Sequence, residues 1–279
     1  MSGASEGGAV RTDGGGTTTR PDYGLDAPGV VRNLFLVAGA GIVLAALRAA
    51  GIWSGRLVLG PVAGVTLAFP LATMGAWAGA SCAAMGIWMV WSSRSGKVRD
   101  RERLLDALPW SGGERVLDVG CGRGLMLVGA AKRLTPGGGG RAVGVDIWQA
   151  EDLSGNRPEA TLENARIEGV LDRVEVKTAD MRRLPFEDAS FDAVVSSKAI
   201  HNVYSKDGRA EAIREIARVL KPGGRALIDD IRHGSEYAAT LASAGCGDVR
   251  RLDSRAASAF LALVTMGSLR PATLLARKG

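Results

Sequence analysis

Cysteine is scarce in this chain: Cys82, Cys121 and Cys246 stand apart, lack metal-ligand spacing, and cannot form a complete set of bridges. A disulfide framework is therefore excluded and a reducing compartment expected. Histidine is scarcer, with only His201 and His233. No group of His, Asp and Glu has ligand spacing, so no metal is expected. The net charge of +6 raises nucleic acid as a partner. The chain nevertheless lacks an Asn-Pro-Pro-Tyr-type motif and a strip of interleaved basic and aromatic residues, so no nucleic acid is expected. The most informative absence is local, because residues 57 to 91 contain no Asp, Glu, Lys or Arg.

That gap divides the chain. Residues 1 to 29 are rich in Gly, Ser and Thr without apolar periodicity, which predicts a disordered tail. The tail is too long and polar to open a secretory signal, so it is expected to be retained. Residues 30 to 92 read as a transmembrane helical anchor. Its first apolar run, residues 33 to 47, lies between Arg32 and Arg48 and would extend roughly 22 Å as a helix before the arginines snorkel outward. The second, Leu57 to Trp91, exceeds the roughly 20 residues of one span. Pro61 and Pro70 break it, leaving either a helix near 70 to 91 after an interfacial or re-entrant piece, or two tight spans. Trp53, Trp88 and Trp91 fall near span ends, as an interfacial belt would place them. The bland alternative is a buried helical hairpin of a soluble protein.

Arg94, Lys97, Arg99, Arg101 and Arg103 follow directly. Such a cluster predicts that the next domain lies on the cytoplasmic side of a membrane, with both termini of a two-span hairpin inside. Residues 93 to 111 form an amphipathic connection, helical over 98 to 108 and closed by Pro109.

From residue 112 the pattern becomes α/β. Strands are predicted at Arg115 to Val119, Ala142 to Val145, Val174 to Lys177, Phe191 to Ser196, Ala226 to Asp229, Asp248 to Leu252 and Thr273 to Ala276. Helices fit at Leu125 to Leu134, Pro158 to Glu168, Asp207 to Leu220 and Ser235 to Ala244. Apolar strand centres alternating with helices imply a mostly parallel sheet covered on both faces.

The first strand runs into Asp118-Val119-Gly120-Cys121-Gly122-Arg123-Gly124. Glycines there allow a tight turn and close approach of backbone to a ligand. Its Gly-x-Gly-x-Gly spacing is shorter than that of dinucleotide folds, and Asp118 would repel a pyrophosphate but suit a cationic amino acid portion. Both features disfavour a nicotinamide oxidoreductase. Asp146, followed by Ile147, ends the second strand, where a carboxylate can accept both ribose hydroxyls. Asp180 and Met181 follow the third, where an acid can accept an adenine amino group.

With Leu184-Pro185-Phe186, Phe191 to Ser197 and Leu220-Lys221-Pro222-Gly223-Gly224 in the same order, residues 112 to 279 resemble the class I S-adenosylmethionine-dependent methyltransferases. The resemblance implies a Rossmann-like seven-stranded sheet with an antiparallel last strand, and S-adenosyl-L-methionine as cofactor. It assigns Asp118 to the glycine loop and methionine amino group, and Gly120 and Gly122, with Cys121 and Gly124, to the methionine portion. Asp146 would take the ribose, with Ile147 next to it also in the cofactor site, Asp180 and Met181 the adenine, and Ser197 the methyl donor's side. Arg123 either reaches the methionine carboxylate or points to solvent.

His201 and His233 follow the fourth and fifth strands, at the edge where open sheets bind ligands. Either His201 is a general base helped by Asn202 or Tyr204, with Asp230 and His233 on the far wall, or both histidines are loop residues bonded to backbone or water. The segment 146 to 157, with Trp148, Glu151, Asp152, Asn156 and Arg157, is a lid or equally a surface loop. The expected whole is a membrane-anchored methyltransferase acting on a small, lipophilic acceptor. Its rival is a non-catalytic S-adenosylmethionine-binding sensor on the same anchor.

Overall fold

A computed structural model describes residues 20–62, 65–149 and 151–279. In chain order its elements are α1 (Pro28–Ala49), β1 (Leu57–Val62), β2 (Val65–Phe69), α2 (Leu71–Trp91), α3 (Lys97–Leu105), β3 (Arg115–Val119), α4 (Leu125–Ala131), β4 (Arg141–Asp146), α5 (Pro158–Ile167), β5 (Val174–Thr178), β6 (Phe191–Ser197), α6 (Lys206–Val219), β7 (Leu220–Asp230), α7 (Gly234–Ser243), β8 (Cys246–Arg251), α8 (Arg255–Val264) and β9 (Ala272–Lys278). Short helical turns at Ser92–Gly96, Leu171–Arg173 and Ile200–Asn202 complete the path.

The apolar strands build one seven-stranded sheet in the order β5-β4-β3-β6-β7-β9-β8. All neighbours are parallel except β9, which lies antiparallel between β7 and β8. Period-two alternation sends Leu117 and Val119 to one face, where Phe191, Ile213, Ile216, Tyr237 and Leu241 pack. Val116 goes to the other, against Leu104, Leu105, Leu127, Leu134 and Ala165. Because the chain reverses direction across the sheet beside β3, the carboxyl ends of β3, β4 and β6 open a crevice there.

Towards the N-terminus, α1 and α2 pack along small residues. A side chain at Gly41 would run into the Gly75 backbone, and Gly79 lies against Ala38. The opposite surface is apolar and bare, with Leu36 and Ile42 on α1 and Trp77 and Ile87 on α2 all more than half exposed. Among the described residues α1 alone has both the length and the hydropathy of a membrane span. Gly, Ser, Thr and Trp lower the hydropathy of α2, although it carries no charge. Between the helices, where the sequence suggested an interfacial or re-entrant piece, the chain forms the antiparallel pair β1–β2, with Leu57 opposite Phe69.

Beyond Trp91 the helix continues through a π-helical turn at Ser92–Gly96 into α3, where the sequence suggested an amphipathic connection. Lys97 and Arg101 of the basic cluster are buried against the domain rather than free to meet a membrane. The tail is also not disordered throughout: residues 1 to 19 lie outside the described residues, but residues 22 to 27 form a strap. Asp22 exchanges hydrogen bonds with Asn164 at 2.9 and 2.8 Å and pairs with Arg123 at 2.9 Å. Leu25 N donates to Ser154 Oγ, and Lys97 Nζ reaches Gly24 O and Asp26.

The strap's inner anchor is Tyr23, whose hydroxyl donates to Glu168 at 2.6 Å and accepts from Arg101 at 3.0 Å. Arg101 is itself paired with Glu168 at 3.3 Å. Without Arg101, Glu168 keeps Lys132 on its other oxygen, at 2.6 Å, but Tyr23 loses its donor and the strap its buried cation. Arg101→Ala is therefore expected to cost about 2 kcal/mol in urea unfolding. It should also open the strap, so that chymotrypsin cuts at Tyr23; continued protection there would contradict the role given to this cluster.

Candidate active site

The crevice is lined by a glycine turn held from three sides. Gly120 has φ +74°, and a side chain there would overlap Ala199 after β6. The Gly120 and Cys121 amides donate to Val145 O at 2.8 and 3.0 Å, tying the turn to β4. Thr161 Oγ1 donates to Gly122 O at 2.6 Å, and Asn164 Nδ2 to Arg123 O at 2.9 Å, tying it to α5. Gly124, at φ +84°, then starts α4. Cys121 is buried, which pushes its thiol up and leaves it a packing residue rather than a nucleophile.

Asp146 completes the turn from the end of β4. Its Oδ2 accepts from Gly122 N at 2.8 Å, while Oδ1 accepts from Trp148 N at 2.7 Å and Asn156 Nδ2 at 3.2 Å. A carboxylate has about four lone-pair sites, so capacity for a hydroxyl remains. Ile147 beside it is half exposed. Met181 comes to the same place, its Cε lying 3.5 Å from where a Gly120 side chain would begin. Asp180, by contrast, is committed to Arg182, which donates to both oxygens and holds the carboxyl below its usual range. Arg123 neither points to solvent nor into the crevice, since it bonds Asp22 and Ser154 O.

Asp118 is buried behind the glycine turn, with Oδ2 lacking a partner among the described residues. Burial, and then the charge of Asp146, push its carboxyl up to about 8. Between pH 4 and 8 this group is ionised in the unfolded chain but protonated in the folded one, so it withdraws stability as pH rises. A cationic group placed against it would reverse that preference and expel the proton. Affinity for a ligand with an ammonium group should thus rise with pH by up to about tenfold per unit and flatten near pH 8. Titration calorimetry in buffers of different ionisation enthalpy would show the released proton, and Asp118→Asn should abolish it. An identical pH profile in that variant would contradict the assignment.

Across the crevice, His201 lies in the short turn after β6. Its Nδ1 is 2.5 Å from Asp230 Oδ1 at the end of β7, and its backbone N donates to Asp230 Oδ2 at 3.0 Å. Ile231 N and Tyr237 OH also donate to this carboxylate, at 2.7 and 3.2 Å. Asp230 is only 2% exposed. A buried, fully engaged carboxylate fixes the ring and assigns the proton to Nδ1, leaving Nε2 as an acceptor. Asp230, rather than Asn202 or Tyr204, is the histidine's partner, and Tyr204 is almost wholly exposed. His233 turns instead to Glu236, 3.2 Å away.

Ser197 donates to Asp229 at 3.3 Å, and the other Asp229 oxygen accepts from Thr273. The described residues of the segment 146 to 157 are more than a surface loop. Asp152 O and Ser154 hold the strap, and burial raises the Asp152 carboxyl even though His201 lies near enough to oppose the rise. The Asp229-Asp230 pair at the end of an apolar strand was the one signal of the His201 partner available in the sequence.

A sheet of this order, with a glycine turn after its central strand and an acid ending the next, defines a Rossmann-like nucleotide-binding domain. Residues 117–228 match the family described as "Methyltransferase domain". A methyltransferase of Streptomyces halstedii, GfsG, is 38% identical over 133 residues, which are 48% of this chain and 43% of that protein. The ubiquinone/menaquinone biosynthesis C-methyltransferase of Idiomarina loihiensis is 35% identical over 116 residues, covering 42% of each. The chain spans less than half the length of these relatives. The solved structure of a geranyl diphosphate methyltransferase in complex with SAM has the same fold. It shows a TM-score of 0.50 and 22% identity over 65% of this chain and 85% of that one.

Proposed function

We propose that the protein is a membrane-anchored S-adenosylmethionine-dependent methyltransferase that methylates a small, lipophilic acceptor. The observation that carries the catalytic reading is the His201–Asp230 pair, set at the same sheet edge as the glycine turn. A module that only sensed the cofactor would have no use for a buried carboxylate orienting a histidine across the crevice.

The residues present suit this cofactor. The unpartnered Asp118 oxygen matches the cationic amino group of a methionine, and the glycines let the turn pack closely against Ala199 and Leu153 beside it. Asp146 would hold the ribose hydroxyls, with Ile147 and Met181 against the adenine. Asp180 would serve only through whatever capacity its pairing with Arg182 leaves. When bound, S-adenosylmethionine supplies a methyl group activated by a sulfonium. The protein aligns the acceptor with it and excludes water, the main tasks in an in-line displacement. For an acceptor that begins protonated, His201 Nε2 takes its proton and Asp230 offsets the imidazolium charge that results.

The membrane part of the reading rests on α1, on the uncharged stretch of residues 57 to 91, and on charge asymmetry. Arg32, Arg94, Arg99 and Arg103 are exposed at the domain end of the helices, against Arg48 and Arg56 at the far end. That imbalance favours a cytoplasmic domain. Two of the similar proteins are named for small organic molecules, a quinone and a prenyl diphosphate. Membranes carrying the full chain, given cofactor labelled in its methyl group, should yield label in an organic-extractable small molecule. The protein itself should resist carbonate extraction. Label confined to protein or to water-soluble products would contradict the acceptor class, and release by carbonate would contradict the anchor.

A further inference from the structure

We infer that α8 is a second membrane contact, an interfacial helix that lies in the headgroup region and holds the crevice mouth against the bilayer. The inference rests on the proposed membrane anchor. The sequence of α8, Arg-Ala-Ala-Ser-Ala-Phe-Leu-Ala-Leu-Val, has its faces inverted relative to a helix on a soluble domain. Among the described side chains of α8 Ser258 is the buried one, bonded to Pro271 O at 2.8 Å, while Phe260 and Leu263 are 65% and 79% exposed. Met266, in the turn that follows, is 96% exposed. Bare apolar side chains concentrated on one helix mark a surface that something covers.

Position and charge identify the cover as lipid. The strap leading into α1 is fixed to Arg123, Ser154 and Asn164, beyond the carboxyl ends of β3 and β4. The segment ending α8 is fixed beyond the carboxyl end of β7, where Arg270 N donates to Ile231 O at 2.8 Å. Both attachments therefore lie at one edge of the sheet. Between β3 and β8 there are four strand steps, roughly 19 Å, with His201 between the two supports. Residues 254 to 272 contain Arg255 and Arg270 and no acid, and exposed Arg232 reaches Ser268 O. Apolar side chains flanked by arginines fit a helix lying in an anionic interface. A bilayer-dissolved acceptor would then meet the mouth without crossing water.

The test uses the full chain with Cys82→Ala, carrying an environment-sensitive fluorophore on Leu263→Cys, in vesicles of phosphatidylcholine and phosphatidylglycerol. The same label on Ile42→Cys of α1 and on Glu211→Cys, exposed on α6, gives the membrane and water references. The label at 263 should shift to the blue relative to 211. It should be quenched by lipids with a nitroxide near the headgroup more than by lipids with one deep in the chain, and less when phosphatidylglycerol is omitted. If 263 behaves like 211 while 42 is quenched by deep nitroxides, α8 is in water and this inference fails with the anchor intact. A blue shift at 263 without lipid quenching would mean that protein, such as a second copy of the chain, covers the helix, and would equally overturn it. Absence of quenching at both 42 and 263 would overturn the anchor and this inference together.

Discussion

His201→Ala is expected to lower kcat by about 10²- to 10⁴-fold, the usual contribution of a positioned general base. The cofactor's dissociation constant should barely change, because the hydrogen bonds of His201 run to Asp230 and none joins it to the glycine turn. Asp230→Asn should produce most of the same loss. The asparagine preserves the shape of the contact but removes the charge that offsets an imidazolium, and it can hold the ring in the wrong tautomer. The amides of His201 and Ile231 would also face a weaker acceptor. The informative readout is therefore the split between kcat and cofactor affinity, followed across pH. Loss of cofactor binding along with turnover would indicate collapse of the pocket. Unchanged turnover at every pH would remove His201 from the mechanism.

Gly120→Val should act on the opposite term. A side chain at φ +74° costs roughly 1–3 kcal/mol by itself, most for a β-branched residue. It would also overlap Ala199, so the turn must move away from β6 and take its backbone with it. The displaced turn no longer presents its backbone to the cofactor, so affinity should fall by roughly ten- to a hundredfold, about 1.4 to 2.8 kcal/mol of binding free energy. Gly137→Val supplies the control. Gly137 has nearly the same φ, +73°, but nothing within 4 Å of where its side chain would begin, and it lies in the loop between α4 and β4. Its replacement should lower stability and leave cofactor affinity alone. Equal losses of affinity in both variants would show that the close approach at Gly120 is immaterial.

Much of the domain was legible because its signals are local. Val116-Leu117, Val143 to Val145 and Ala193 to Val195 are apolar stretches suited to strands covered on both faces, and glycines punctuate the turn that follows the first. The same locality explains the misses. The strap depends on partners such as Asn164 and Glu168, 142 and 145 residues away from Asp22 and Tyr23, and nothing in a Gly-rich tail announces them. The β1–β2 pair lies in a charge-free run where Val58, Val62 and Val65 carry strand propensity that the membrane pattern overshadowed. Helix α8 buries Ser258 and exposes Phe260 and Leu263, the reverse of the pattern by which a surface helix is read, so its apolar composition merged with the strands on either side. Within the crevice, the glycine turn and Asp146 followed from spacing, but the partner of His201 required β6 and β7 to be placed side by side.

The account stands most directly on whether the cofactor is consumed. The full chain in lipid vesicles, supplied with S-adenosylmethionine and a lipid extract as acceptor source, should form S-adenosylhomocysteine in step with methylated product, at a rate that falls with His201→Ala. Tight cofactor binding with no S-adenosylhomocysteine above the protein-free control, whatever lipid extract is offered, would contradict the enzyme and leave a sensor in its place.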